Sequence, residues 1–255
     1  MFENEFEAVS NAAVSKVSYL KRNPLGFFIL SCLAGMYVGF GILLIFSIGG
    51  MLTGLPYVKI VMGISFGIAL SLVVMAGAEL FTGNNMVMSI GMASKKVSLI
   101  DTFKLWVVCY LGNWAGAIIL ALIFKMTGLA TGSVGEFMAN ASATKMSLPA
   151  SELFMRGVLC NILVCLAVWC GTKLKSESAK LIMIFWCLFA FITSGFEHSI
   201  ANMTLLTVSL LAPFDKAISL SGYFYNLSIV TLGNMVGGIV FVALPYYLAA
   251  KKKEV

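Results

Sequence analysis

Charge is what this chain has least of. Its 17 Lys and Arg and 11 Asp and Glu make up 11% of 255 residues, where a soluble domain carries about 25%. The apolar set fills 60%, against about 45–50% in soluble domains. A water-soluble fold of this composition would expose large apolar areas and aggregate. That excludes most soluble enzymes, nucleic-acid readers and disordered linkers. Proline is sparse, with five residues, and histidine occurs once, as His198. The first 20 residues carry Glu3, Glu5 and Glu7, the reverse of a basic leader before an apolar core, so no signal peptide is expected. The six cysteines all lie inside apolar stretches without metal-ligand spacing, and read as small buried hydrophobes. Neither a metal nor a cofactor is expected.

What is abundant is apolar sequence in long runs. A hydrocarbon core of about 30 Å needs about 20 apolar residues per helix. Six stretches qualify: Leu25–Ile48, Ile60–Ala93, Leu105–Phe124, Leu153–Thr172, Leu181–Ala212 and Tyr223–Ala250. Lipid offers the backbone no hydrogen-bond partners, so an all-α membrane protein with six spans is predicted. The second and fifth stretches are longer than a span needs and carry polar interruptions.

Positive charge sits in short clusters between these runs. With both termini cytoplasmic, the inner segments hold twelve cations: Lys16, Lys21, Arg22, Lys95, Lys96, Lys104, Lys173, Lys175, Lys180 and Lys251–Lys253. The outer segments hold five: Lys59, Lys125, Lys145, Arg156 and Lys216. The bias matches a multi-pass protein of the cell's inner (plasma) membrane with both termini inside. The +6 balance therefore reads as topology rather than as a nucleic-acid surface. Phe2, Phe6, Val9, Ala13, Val17 and Leu20 recur every three or four residues, which predicts an amphipathic helix over 1–23. The basic tail 251–255 would meet the anionic inner leaflet.

Two segments repeat. Leu111-Gly112-Asn113-Trp114-Ala115-Gly116-Ala117-Ile118 and Leu232-Gly233-Asn234-Met235-Val236-Gly237-Gly238-Ile239 both read L-G-N-x-x-G-x-I, 121 positions apart. The interruptions match more loosely. Glu79 precedes Asn85-Met86 and Glu197 precedes Asn202-Met203, at offsets of 118 and 117. This points to a duplicated three-span unit, residues 24–135 and 136–250. Three is odd, so the second copy enters from the opposite side. The expected architecture is an inverted three-plus-three repeat whose broken second and fifth spans mark the transport path.

The first interruption, residues 78–85, offers the Thr82 hydroxyl and the permissive Gly83. The second, residues 193–202, holds the single imidazole. An ionisable group inside a membrane is costly and points to function, and histidine titrates near neutrality. Structural alternatives stand beside this. His198 could pin a loop, and Asn113, Asn234 and Asn161 could simply bridge helices. Glu197 fits loop support better than anion binding, because a carboxylate on the path repels anions. The segment Thr127–Ser151, rich in Gly, Ala, Ser and Thr, reads as a long outer loop. Lys145 near its end would raise local anion concentration or be an ordinary solvated charge.

At the phrases Glu79-Leu80-Phe81-Thr82-Gly83-Asn84-Asn85 and Gly195-Phe196-Glu197-His198-Ser199-Ile200-Ala201-Asn202-Met203, the chain resembles the formate/nitrite transporter family, over essentially its whole length. The resemblance implies an aquaporin-like protomer with its own pore in a homopentamer. It also implies that the N-terminal helix lies at the cytoplasmic face. By motif position it makes Thr82 and His198 the central pair, and Leu80, Phe66, Leu70 and Phe191 the constrictions. Lys145, Asn161 and Asn234 fall around the chamber. The run from Glu197 through Thr204-Leu205 looks most like the nitrite branch, with hydrosulfide channels also similar.

The expected substrate is thus a small monovalent weak-acid anion: nitrite, formate or hydrosulfide. Moving a bare charge through rings of Phe and Leu costs on the order of 20 kcal/mol in the idealised limit. Protonation by the histidine between the constrictions would remove that cost. A passive anion channel without a relay stays open as an alternative. An aquaglyceroporin-like neutral-solute pore is another, although the chain lacks that class's paired Asn-Pro-Ala motifs. No nucleophile–base–acid set suggests an enzyme.

Overall fold

The computed structural model describes residues 2–250; the basic tail 251–255 lies outside them. The chain is all-α. An N-terminal helix α1 (Glu3–Arg22) precedes α2 (Pro24–Met51), α3 (Val58–Ser65), α4 (Ile68–Met75) and α5 (Phe81–Ala93). Then follow α6 (Leu99–Met126), α7 (Gly132–Ser147), α8 (Ala150–Lys173), α9 (Glu177–Ser194) and α10 (Ser199–Leu211). The chain closes with α11 (Leu220–Gly238), a π-helical turn (Ile239–Ala243) and α12 (Leu244–Ala250). Among the described residues, six helical segments are long and apolar enough to cross a membrane: α2, α3 with α4, α6, α8, α9, and α11 through α12. At 1.5 Å per residue the 28 residues of α2 span about 42 Å, more than the hydrocarbon core.

Helix starts follow side-chain chemistry. Asn23 accepts the Gly26 N–H at 2.9 Å ahead of α2, whose first residue is Pro24. Ser98 and Ser219 each accept the N–H three residues on, at 3.0 Å, ahead of α6 and α11. These contacts satisfy backbone donors that no helical carbonyl can reach. On α1 the buried positions Val9, Ala13 and Val17 form one stripe, laid against α5 and α8.

Three features depart from the sequence reading. Residues 132–147, read as loop, are α7. Its buried positions Gly135, Met138, Ala139, Ser142 and Met146 recur at helical spacing and pack on α2 and α10. Small side chains gave that stripe too little hydropathy to stand out. The breaks are also shorter than the polar motifs: within those motifs only 78–80 and 195–198 are non-helical, Thr82–Asn85 and Ser199–Asn202 are already helix, and the second stretch has a further break at 66–67. Polar residues there occupy helix N-termini, where free N–H groups favour them. The π-turn after Gly237-Gly238 had no signal in the hydropathy.

The glycines of the repeated L-G-N-x-x-G segments sit at the tightest helix crossings. A methyl on Gly116 would strike the Cys32 carbonyl of α2, and one on Gly237 the Val158 carbonyl of α8. α2 with α6, and α8 with α11, therefore pack as close pairs, with glycines at the points where backbones approach.

Candidate functional site

α5 and α10 are 13-residue helices that begin inside the protein. Each is preceded by a glycine in the left-handed region, Gly77 (φ 76°) and Gly195 (φ 77°), where only glycine escapes steric penalty. The contacts at the two breaks match one for one. The Glu79 N–H donates to Leu30 O, and the Glu197 N–H to Arg156 O, both at 3.2 Å. Asn113 Oδ1 accepts the Phe81 N–H and Asn234 Oδ1 the Ser199 N–H, both at 2.9 Å. The same amides donate back from Nδ2, Asn113 to Glu79 O at 2.8 Å and Asn234 to Glu197 O at 2.9 Å.

Each carboxylate is held by one lysine and one asparagine. Glu79 Oε2 accepts from Lys16 Nζ at 2.5 Å and Asn84 Nδ2 at 2.9 Å. Glu197 accepts from Lys145 Nζ and from Asn202 Nδ2, both at 2.6 Å. Asn84 thus holds Glu79 as Asn202 holds Glu197, whereas the sequence match sets Asn85 against Asn202. Both lie five residues after their glutamate, a spacing that could have revealed the register. Lys16, Asn84 and Asn226 had been given no site role. Asn226 bridges Asn202 at 2.9 Å and the Lys145 carbonyl at 3.0 Å.

His198 lies across from the first break. Its Nδ1 accepts the Ala201 N–H at 3.1 Å, capping α10. Nδ1 is thus an acceptor, and the neutral ring carries its hydrogen on Nε2. Nε2 lies 3.1 Å from Thr82 Oγ1, which accepts that hydrogen and keeps its own hydroxyl proton for another acceptor. Both side chains are buried.

Beside His198 the interior narrows to a chamber of about 10 Å³ lined by Phe66, Leu70, Leu80, Phe191 and His198, with Val38, Ala69, Val164 and Leu188. That is about the space a single water requires. Phe66 meets Phe191 edge to face at 5.5 Å, and the Phe191 ring lies nearly parallel to the imidazole at 6.0 Å. A larger cavity of about 360 Å³ reaches Phe191 and His198 from one side and includes Lys59, Lys145, Arg156 and Glu197. Another of about 360 Å³ reaches Leu70 and Leu80 from the other, with Lys16 and Glu79. Phe66, Phe191, Leu70 and Leu80 thus crowd one narrow chamber together with His198, and Thr82 meets that imidazole without lining the chamber itself. In this conformation an anion passes only if these side chains move.

Of the remaining expected site residues, Asn234 braces the second break and does not line the chamber. Asn161 reaches the Thr82 carbonyl at 3.2 Å and the Asn234 carbonyl at 2.7 Å, so it ties α5, α8 and α11 together behind Thr82. Lys145 lines the larger cavity, but its ammonium is paired with Glu197. Among the described residues no three His, Cys, Asp or Glu side chains converge on one point.

The family model described as "Formate/nitrite transporter" matches residues 3–248. The nitrite transporter NirC of Salmonella typhimurium is 42% identical over 252 residues, covering 97% of this chain and 91% of its own length. A solved structure titled "FNT family ion channel" superposes with a TM-score of 0.93 at 39% identity, covering 97% of this chain and 99% of the other. One titled "Pentameric formate channel with formate bound" gives 0.81 at 32%, covering 91% and 99%.

Proposed function

The chain belongs to the formate/nitrite transporter family, a family of transporters and channels rather than enzymes, and on that footing we propose that it carries a small monovalent weak-acid anion through a pore in each protomer of a homopentamer. Nitrite is the first candidate, by likeness to the NirC transporter; formate and hydrosulfide are the others. The pentamer is proposed by likeness to the formate channel of that assembly. The two halves, residues 24–135 and 136–250, form an inverted repeat joined within α7, and the matched contacts at Gly77/Gly195, Asn113/Asn234 and Asn84/Asn202 support that reading. Both termini face the cytoplasm, following the lysine distribution.

One observation carries the mechanism: His198, in contact with Thr82, lines a narrow chamber walled by Phe66, Phe191, Leu70 and Leu80. In the resting state the ring is neutral, because Nδ1 is engaged by the Ala201 N–H. An anion drawn into the chamber offsets the cost of an imidazolium. The ring then takes a proton from vestibule water, leaves its capping contact and passes a proton through Thr82 to the anion. The neutral acid crosses Phe66 and Phe191, or Leu70 and Leu80, and releases its proton in the far vestibule; the ring returns to neutral on its cap. Lys145 contributes local attraction at the vestibule floor, while Glu197 and the asparagines Asn161 and Asn234 hold the break in shape.

The test is nitrite flux into proteoliposomes with and without a proton gradient. His198→Asn retains an acceptor for the α10 cap but cannot shuttle a proton, so it should lose gradient-driven flux while remaining folded. Gradient-driven flux at the original rate in that variant would mean a passive channel.

A further inference from the structure

The two vestibules differ in the charges that line them. In the one bounded by Leu70 and Leu80, Lys16 is matched by Glu79 at 2.5 Å. In the one that reaches Phe191 and His198, Lys145 is matched by Glu197 at 2.6 Å and Arg156 by Glu152 at 2.9 Å. Lys59, in the first turn of α3, lines that same cavity, is exposed, and has no ion-pair partner among the described residues. A close ion pair acts at a distance as a dipole, whose field decays faster than that of a single charge. Among the residues lining the two cavities, one positive charge is left uncompensated on this side and none on the other.

We propose that Lys59 is the capture residue of this vestibule, that it binds the incoming anion by its uncompensated charge, and that it makes the two mouths differ in affinity for that anion. This rests on the anion-transport reading above. In that reading Lys145 acts only on an anion already at the vestibule floor, and Lys59 determines how many arrive. Clefts with a net charge concentrate oppositely charged solutes, and a single charge at the mouth, in high dielectric, is worth about two- to fivefold in local concentration at low salt. Because Lys59 is solvated, its effect is screened as ionic strength rises.

The experiment is initial-rate nitrite uptake into right-side-out and inside-out membrane vesicles containing the full-length protein. For Lys59→Gln, the half-saturating nitrite concentration should rise about two- to fivefold in the orientation that presents the Phe191–His198 side. It should stay unchanged in the other orientation, with the maximal rate the same in both. In about 0.5 M salt the difference should disappear, and Lys59→Arg should match the original protein. An unchanged half-saturation in both orientations, or an equal rise in both, would overturn the assignment while leaving the transport reading intact. An original protein that passes no nitrite, formate or hydrosulfide would overturn both.

Discussion

Leu80 and His198 occupy matching positions: each is the extended residue just ahead of a buried half-helix, at φ −103°, ψ 123° and φ −115°, ψ 115° respectively. Both side chains line one chamber. Matching backbones therefore present an isobutyl group from one side and an imidazole from the other. In the transport reading proposed above, the apolar member would close the path and the polar member would offer a proton. Thr82, two residues past Leu80, supplies the hydroxyl that His198 contacts.

The hydroxyl at 82 is needed in its own right. Thr82→Ser should retain most flux, whereas Thr82→Val should lower proton-driven flux about tenfold to hundredfold, at the lower end of what positioned proton transfer contributes. Stopped-flow pH change in dye-loaded liposomes reads both, and equal rates in the two variants would remove Thr82 from the path.

The Lys145–Glu197 pair is buried on its carboxylate side, with 3% of the Glu197 side chain exposed against 20% for Lys145. Lys145→Met would strand a buried charge and should destabilise the protein by about 2–4 kcal/mol, somewhat below a fully buried case. Adding Glu197→Gln should restore most of the loss. Thermal unfolding in detergent of the single and double variants measures this coupling; additive losses would mean the pair does not act as a unit.

Asn113 and Asn234 perform the same task in the two halves, so their loss should have similar consequences. Alanine at either position leaves the Phe81 or Ser199 N–H without its partner, costing about 1–3 kcal/mol. Hydrogen exchange should rise first at residues 79–82 in one variant and 197–200 in the other. Exchange that spreads evenly over the whole molecule would refute a local bracing role.

Gly237→Ala should separate α8 from α11, because the new methyl meets the Val158 carbonyl. Gly171→Ala, where nothing lies within 4 Å, should be neutral or stabilising, by up to about 1 kcal/mol. Denaturation midpoints of the two variants separate backbone crowding from helix propensity.

Acid should loosen α1. A hydrogen bond from Lys96 and its positive charge hold the Glu7 carboxyl below its ordinary value of 4.5. A carboxyl whose value is lower in the folded chain stabilises docking above the unfolded value, and that contribution is lost as pH falls through the folded one. Detachment of α1 should therefore increase below about pH 4.5. Because the pair is solvent-exposed, the step should be small and should shrink with salt. A spin label on α1 reports it, and Glu7→Gln should reduce the step, the remainder coming from Asp101, whose carboxylate Lys21 of α1 also pairs.

Local chemistry made much of this legible before any coordinates. Span length and composition decide membrane insertion, so all six spanning segments were visible as apolar runs. The polar phrases near Glu79 and Glu197 stood out because such residues are rare at membrane depth. Helix α7 was not visible, since its buried stripe of Gly, Ala, Ser and Met has little hydropathy contrast. Nor was the pairing of Asn84 with Asn202, because two adjacent asparagines left the register ambiguous by one residue.

The amino-acid sequence by itself determined that the chain is a helical membrane protein with two interrupted spans and a single imidazole, since hydropathy and residue chemistry act over short distances along the chain. Only the tertiary structure decided that this imidazole meets a hydroxyl 116 residues away, that Lys145 spends its charge on Glu197, and that Lys59 keeps its own. Those relations are set by where two half-helices far apart in the chain converge and by which carboxylate each ammonium can reach. Residue order alone does not encode either distance.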